Sequence, residues 1–319
     1  MSAYIELVDP ELRDAALAMR ENMAAYTPMD RDKLARRRAW MEDLRPPPLP
    51  DVPYAEHRIP RIEGPDVVVY VVNAKPSQRR PGIVHMHGGG FTASTAAGSL
   101  PAVQDLARAL DVPIVTVEYR LAPETIWSGS RDDNYTALAW TVAQAEAIGV
   151  DPARIALLGE SAGGGHAALL ALAARDRGEI APIFQCLIYP MIDDRTGTSR
   201  QVPEHIGYFG WNPAANLFGW QSFLDCEPGG DAVPSEAVPA RCADLVGLPP
   251  TFVACGALDL FVEEDIAFAG RLLAAGVPTE LLIVPGAFHG FDSFAPDAAV
   301  SRRFRAAKVE ALRRGLGLA

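Results

Sequence analysis

The chain has 319 residues, 49% of them apolar, with 29 Lys and Arg against 40 Asp and Glu for a formal net charge of -11. That length and apolar fraction suit one large α/β domain, or two small ones, with a sizeable core; the acidic balance argues against a nucleic-acid surface, which needs clustered cations that outweigh local acids. Cys186, Cys226, Cys242 and Cys255 show no C-x-x-C spacing, the first residues lack a basic-then-apolar leader, and the stretch Ala162 to Ala174 is too short to span a bilayer. We therefore expect no disulfide framework, zinc site or membrane insertion, and a cytoplasmic setting.

Leu12, Ala16, Met19 and Met23 recur at helical spacing before the break at Pro46-Pro47-Pro48, so residues 1–54 read as an appended helical segment. Arg36-Arg37-Arg38, the densest basic run, precedes Trp40 and Glu42 and reads as a solvated helix face with no assigned function. Strands follow at Ala55 to Ile62 and Val67 to Val72. Strands and helices then alternate: a strand from Gly82 to His87, a helix around Val103 to Leu110, a strand from Val112 to Tyr119, a helix from about Asp132 to Ile148, a strand over Arg154 to Leu158, an Ala- and Leu-rich helix over Ala167 to Arg175, and a strand from Ile183 to Tyr189. Alternation of this kind over residues 55–192 predicts a mostly parallel sheet flanked by helices. Residues 193–239 show no clear period and read as an insertion over the sheet, in which Tyr208, Phe209, Trp211, Phe218, Trp220 and Phe223 form a small core or line an apolar pocket. Over residues 240–319 alternation resumes with strands Thr251 to Cys255 and Glu280 to Val284 and helices from about Val262 to Ala275 and Asp297 to Leu312.

Gly159-Glu160-Ser161-Ala162-Gly163 lies where a buried-type strand turns into a helix. A G-x-S-x-G pattern in that context puts a serine on a sharp turn with its hydroxyl exposed, whereas the same five residues in a loop would only cap a helix. A serine nucleophile needs a base and an acid to orient that base. His289 is the candidate base, presented between two glycines in the loop Pro285 to Phe291 after a strand. Asp259 is the candidate acid, since Gly256-Ala257-Leu258-Asp259 follows a strand at the same sheet edge. Asp193-Asp194 compete for that role, as do Glu263, Glu264 and Asp265, which fall in the next helix and read as negative charge for its first turn. His85 and His87 form an H-x-H that strand alternation points to one face, but no third ligand follows at metal-site spacing. His166 reads as a packed helix residue. Gly88-Gly89-Gly90 directly after a strand offers backbone N–H groups at Gly88 and Gly89 that, with that of Ala162, would hold an oxyanion; no Lys with Ser or Thr follows to make it a phosphate loop. Phe91, Trp127, Tyr189 and Met191 each follow or end a predicted strand near this edge and are candidate substrate contacts, with a purely structural role equally open.

His87-Gly88-Gly89-Gly90-Phe91, Tyr119-Arg120-Leu121-Ala122-Pro123-Glu124, Gly159-Glu160-Ser161-Ala162-Gly163-Gly164, Asp259 and Phe288-His289-Gly290-Phe291 together resemble the bacterial hormone-sensitive-lipase family of carboxylesterases. The resemblance covers residues from about 55 to the end. It implies an α/β-hydrolase fold with an eight-stranded sheet, a cap built from the N-terminal helices plus the insertion, no metal or cofactor, and hydrolysis of short acyl esters through an acyl-enzyme. It also implies that Glu160 anchors the turn and that two copies can pair through the sheet edge near Glu280 to Val284. Where the family commonly has Phe-Pro, this chain has Ile126-Trp127-Ser128-Gly129, which puts local packing there in question. A ligand-binding protein without catalysis on the same fold, and an amidase or lactonase with the same triad, are the competing readings.

Overall fold

Eight strands form one sheet: β1 (Tyr54–Ile59), β2 (Val67–Val72), β3 (Arg80–Met86), β4 (Ile114–Glu118), β5 (Val150–Glu160), β6 (Phe184–Ile188), β7 (Thr251–Gly256) and β8 (Thr279–Val284). Their order is β1-β2-β4-β3-β5-β6-β7-β8, with β1–β2 and β2–β4 antiparallel and every other pair parallel. The structure is a computed structural model that describes residues 2–43 and 45–318, so residues 1, 44 and 319 of the expected outer segments lie outside it.

The apolar runs are buried on both faces, as parallel strands covered by helices must be. In β5, Ala156 and Leu158 face a layer that includes Leu100 and Leu106 of α3 (Ala96–Leu110) and Phe304 and Leu312 of α10 (Ala299–Leu316). Ile155 and Leu157 face the opposite layer, with Leu138 of α4 (Trp127–Ala143), Leu170 of α6 (Ala162–Arg177) and Leu272 of α8 (Val262–Ala274). A third cluster sits above the carboxyl ends of the strands, where Phe91, Ala122, Ala162 and Met191 meet Met23 of α1 (Arg13–Tyr26) and Trp211, Trp220 and Phe223 from the 193–239 region. A second N-terminal helix, α2, spans Arg31–Asp43.

Most expected elements lie within a few residues of those found, and the departures have local causes. Helix α3 starts at Ala96 rather than near Val103, because Thr95 Oγ1 accepts from Gly98 N at 2.9 Å and the Glu118 carboxylate accepts from Ala96 N at 2.8 Å. The expected Asp132 to Ile148 helix is α4 followed by the short α5 (Ala145–Ile148). The region expected to lack a period holds α7 (Pro213–Leu224), capped by Asn212 Oδ1 on Ala215 N at 3.0 Å with Pro213 in its first turn. Its buried positions recur at helical spacing, but Ala215, Asn216 and Gly219 occupy three of them and dilute the apolar signal.

Around residues 120–129 a buried carboxylate sets the packing. Asp133, 2% exposed, accepts from Arg120 N at 3.0 Å, Nε at 2.8 Å and Nη2 at 2.9 Å, and also from Arg61. Arg120 Nη2 further donates to Gly129 O at 3.0 Å, which docks the start of α4 despite the departure at Ile126 to Gly129. Removing Asp133 strips two partly exposed guanidinium groups of their shared partner, at a cost of roughly 1–3 kcal/mol. Asp133→Ala should lower the unfolding free energy by about that amount in urea titrations; a loss under about 1 kcal/mol would refute this account of the segment.

Candidate active site

Ser161 directly follows β5 with φ 57° and ψ -123°, and α6 begins at the next residue. A non-glycine residue avoids that conformation unless its surroundings impose it. Here the turn is held by close backbone packing. A Cβ on Gly163 would lie 2.0 Å from Met86 O, and one on Gly159 would lie 2.0 Å from Gly163 O, so no side chain can replace either hydrogen. Ser161 N donates to Ile188 O at 2.9 Å and Ser161 O accepts from Met191 N at 3.0 Å, tying the turn to the loop after β6.

Ser161, Asp259 and His289, far apart in sequence, converge. The Ser161 hydroxyl lies 2.9 Å from His289 Nε2, and His289 Nδ1 lies 2.8 Å from Asp259 Oδ2. A carboxylate only accepts, so Nδ1 carries the proton and Nε2 is free to accept from the serine. Asp259 is fully buried and its other oxygen accepts from Phe261 N at 3.0 Å, while the imidazole side chain keeps 12% exposure. The rival acids are engaged elsewhere. Asp193 pairs with Arg195 at 2.8 Å and Asp194 with Arg241 at 2.7 Å. Glu264 and Asp265 do not supply charge to the first turn of α8: burial pushes both carboxyls well above their usual range, and Glu264 Oε1 instead accepts from Ile192 N and Asp193 N. Only Glu263 of that trio is exposed.

The glycine loop faces the turn. A Cβ on Gly88 would touch Glu160 O at 3.0 Å and Ser161 Cβ at 3.4 Å, and one on Gly89, at φ 129°, would collide with Ala93 O at 1.9 Å. Among the described residues, the N–H groups of Gly88, Gly89 and Ala162 have no hydrogen-bond acceptor. Ala162 also opens a helix, whose N-terminal dipole favours negative charge.

His85 lies within β3, whereas β3 ends at Met86 and His87 lies beyond it, where strand alternation no longer applies. His85 Nε2 meets Glu160 Oε2 at 2.8 Å and its Nδ1 meets Thr116 Oγ1 at 2.8 Å. His87 stacks on Tyr119 at 4.3 Å between ring centroids. Burial pushes the His87 imidazole down to about 4 and that of His166 to about 3, so both are neutral near pH 7. His166 packs edge-on against Phe91, as expected of a core residue. No cluster of three or more His, Cys, Asp or Glu among the described residues could hold a metal.

Phe91 is buried and stacks on Phe223 at 4.0 Å; Met191 is buried below Gly219; Trp127 packs on the rim of the same cluster under Arg131. Tyr189 sets its ring edge-on to His289 at 4.8 Å and donates its hydroxyl to Asp292 at 3.0 Å. A cavity of about 440 Å³ between the end of α2 and residues 94–98 is lined by none of these four.

Sequence reasoning missed Lys308 and Asp292. Lys308 Nζ reaches Glu160 Oε1 at 3.4 Å from the core face of α10. A signal was present, since Val300, Phe304, Lys308 and Leu312 repeat every four residues and lysine is otherwise confined to Lys33 and Lys75. Burial acts to raise the Glu160 carboxyl, but facing His85 and Lys308 outweigh it and hold it at about 2.

A mostly parallel sheet flanked by helices, with a serine on a strained strand-to-helix turn against a carboxylate-held imidazole, defines an α/β-hydrolase. Comparison with known proteins agrees. Residues 83–293 match the family model described as alpha/beta hydrolase fold. The chain is 32% identical over 305 residues to carboxylesterase NlhH of Mycobacterium tuberculosis, covering 91% of this chain and 92% of that one. It superposes on a bacterial heroin esterase with TM-score 0.87 at 36% identity, covering 98% and 99% of the two chains. A 129-residue stretch is 33% identical to mouse hormone-sensitive lipase, 40% of this chain and 17% of that one. The chain belongs to the alpha/beta-hydrolase family, in its hormone-sensitive-lipase-like group.

In the unfolded chain Glu160 titrates near its ordinary value of 4.5, against about 2 when folded. A depressed carboxyl stabilises the fold fully above the unfolded value and loses that contribution as pH falls toward the folded one, here roughly 3 kcal/mol between about pH 5 and 2. Glu160→Gln should therefore be less stable at pH 7 by about that amount and show a shallower fall over this window. Identical pH slopes for the two proteins in urea unfolding would contradict the assignment.

Proposed function

We propose that the chain is a serine carboxylesterase that hydrolyses short-chain acyl esters through an acyl-enzyme. The observation that carries this reading is the unbroken hydrogen-bond chain from Ser161 Oγ through His289 to Asp259, at 2.9 and 2.8 Å. Ser161 Oγ attacks the ester carbonyl carbon as His289 Nε2 takes its proton. The oxygen that becomes negative is held by the N–H groups of Gly88, Gly89 and Ala162, each worth about 3 kcal/mol of transition-state stabilisation. His289 then returns the proton to the departing alcohol, and water deprotonated by the same nitrogen releases the acid. Asp259 stays ionised and keeps the ring in the tautomer that can accept. No step calls on a metal or cofactor.

Residues 1–54 and 193–239 form the cap in this reading. Support comes from their mutual contacts: Tyr4 donates to Glu204 at 2.8 Å, and the Arg20 guanidinium lies 4.1 Å from the Tyr208 ring. In this reading Phe91, Trp127, Tyr189 and Met191 contact the substrate, and a site walled by such aromatic and apolar side chains suits short acyl chains. Strand β8 is a sheet edge with Leu281 exposed, so pairing of two copies along it is part of the proposal, and light scattering tests it. No helix among the described residues is long and apolar enough to cross a membrane; action in the cytoplasm on a small ester completes the reading.

Ser161→Ala should lower kcat on p-nitrophenyl butyrate by about 10⁴-fold or more with little change in melting temperature. A phosphonate ester should label Ser161 in the wild-type protein, and failure to label would favour a binding protein over an enzyme. Across a p-nitrophenyl ester series, kcat/KM should peak at short acyl chains; an optimum on long chains would overturn the proposed acyl preference.

A further inference from the structure

The run Arg36-Arg37-Arg38 does not form the solvated face its sequence suggests. Arg36 is exposed, but Arg38 donates from Nε to Thr92 O at 2.7 Å and from Nη2 to Ala122 O at 2.9 Å, and pairs with Glu124 at 2.8 Å. It clamps α2 onto the loop that follows the glycine run. Arg37 points elsewhere. Its Nη1 is buried with no hydrogen-bond partner, no carboxylate pairs with it among the described residues, and its guanidinium lies 5.5 Å from the Trp211 ring. Burial pulls it below its ordinary value and only Tyr26 opposes that, so the environment supplies no counter-charge.

Trp211 spans the reactive centre. Its indole edge covers Gly90 of the oxyanion loop so closely that a Cβ there would lie 2.3 Å away. Gly210, the residue before it, lies against His289, where a Cβ would meet His289 O at 3.1 Å and Cβ at 3.6 Å. Arg37 thus sits one indole away from the triad, on the cap side. The guanidinium is half-buried, with one nitrogen buried and unpaired, and such a donor calls for an acceptor that a ligand can supply. Helix α2 also carries Arg31, Lys33, Arg36 and Arg38 against Asp32, Glu42 and Asp43, with Arg38 paired to Glu124, so a modest positive excess lies beside Arg37 on a chain of net charge -11.

We propose that Arg37 recognises an ionised carboxylate on the substrate, so that this site prefers half-esters and other esters bearing a second, charged carboxyl group. The proposal rests on the carboxylesterase reading above and names its substrate class. A guanidinium binds carboxylate through two parallel N–H donors, and Arg37 stands beside the Trp211 ring with one of its nitrogens unpaired.

The test compares hydrolysis of monoethyl adipate with ethyl hexanoate, and of 4-acetoxybenzoate with p-tolyl acetate. The first pair places the carboxylate on the acyl side and the second on the alcohol side. Each pair yields a ratio of kcat/KM, acid to neutral, which cancels the intrinsic effect of a variant on chemistry. Arg37→Met should lower that ratio about 10- to 100-fold for at least one pair, mainly through KM of the acid ester. Arg37→Lys keeps the charge and stem but not the fork, and should lower it about 3- to 10-fold; this variant decides the matter if Arg37→Met does not fold. Ratios equal to wild type for both pairs in a folded variant would overturn the proposal. Calorimetric binding of monoethyl adipate and 4-acetoxybenzoate to Ser161→Ala separates the two layers of inference. Binding of either that disappears when Arg37→Met is added upholds the anion site even if the wild type hydrolyses none of the four esters, in which case the esterase reading alone fails. Binding unaffected by Arg37→Met overturns the anion site.

Discussion

At the turn from β5 into α6, the backbone of Gly163 passes so near the carbonyls of Met86 and His87 that no side chain fits between them. That approach locks two parallel strands and a helix start together at the sheet's carboxyl edge. Ser161 is left in a backbone conformation it would otherwise avoid, and Gly88 comes to rest against it. The proposed nucleophile and the proposed oxyanion donors are therefore placed by one contact. Every other part of the site is brought to this point rather than placed independently of it.

Buried charge reinforces the turn from behind. Glu160, the residue before the serine, faces His85 from β3 and Lys308 from α10, so the strand leading to Ser161 is held to a neighbouring strand and to the last helix described. On the other side Tyr189 hydrogen-bonds Asp292 and lies edge-on against His289, which limits how far the imidazole can swing. Above the sheet, the two segments proposed as the cap meet through aromatic and guanidinium contacts, with Trp211 over Gly90 and Arg37 over Trp211. The same packing leaves one guanidinium nitrogen of Arg37 without a protein partner.

Regular alternation in the sequence made most of the sheet legible, because parallel strands buried on both faces appear as short continuous apolar runs between helical stretches. Where elements were misjudged, the determinants were not apolar. Helix α3 begins early through Thr95 and a carboxylate from the end of β4, and α7 hides its buried face behind Ala, Asn and Gly. The residues that the structure brings together each carry a local signature in the sequence: glycines flanking Ser161, glycines after β3, and a loop histidine. Lys308 was missed although its position within an apolar helical stripe marks it as core-facing.

By itself the sequence determined the strand-to-helix turn, the glycine loop and the order serine, acid, histidine, since each depends on residues adjacent in the chain or on simple periodicity. It left Asp259 in competition with Asp193, Asp194 and the acids of α8, and that choice belonged to tertiary structure. Only the fold brings Asp259 within hydrogen-bond distance of His289 while giving Asp193 and Asp194 to arginines and burying Asp265 apart. The basic run on α2 makes the same point. Its three arginines look alike in sequence, yet one is solvated, one clamps the loop after the glycine run and one is half-buried beside Trp211. A charge's role is set by what packs around it and by the water it loses, and neither is encoded by its immediate neighbours in the chain.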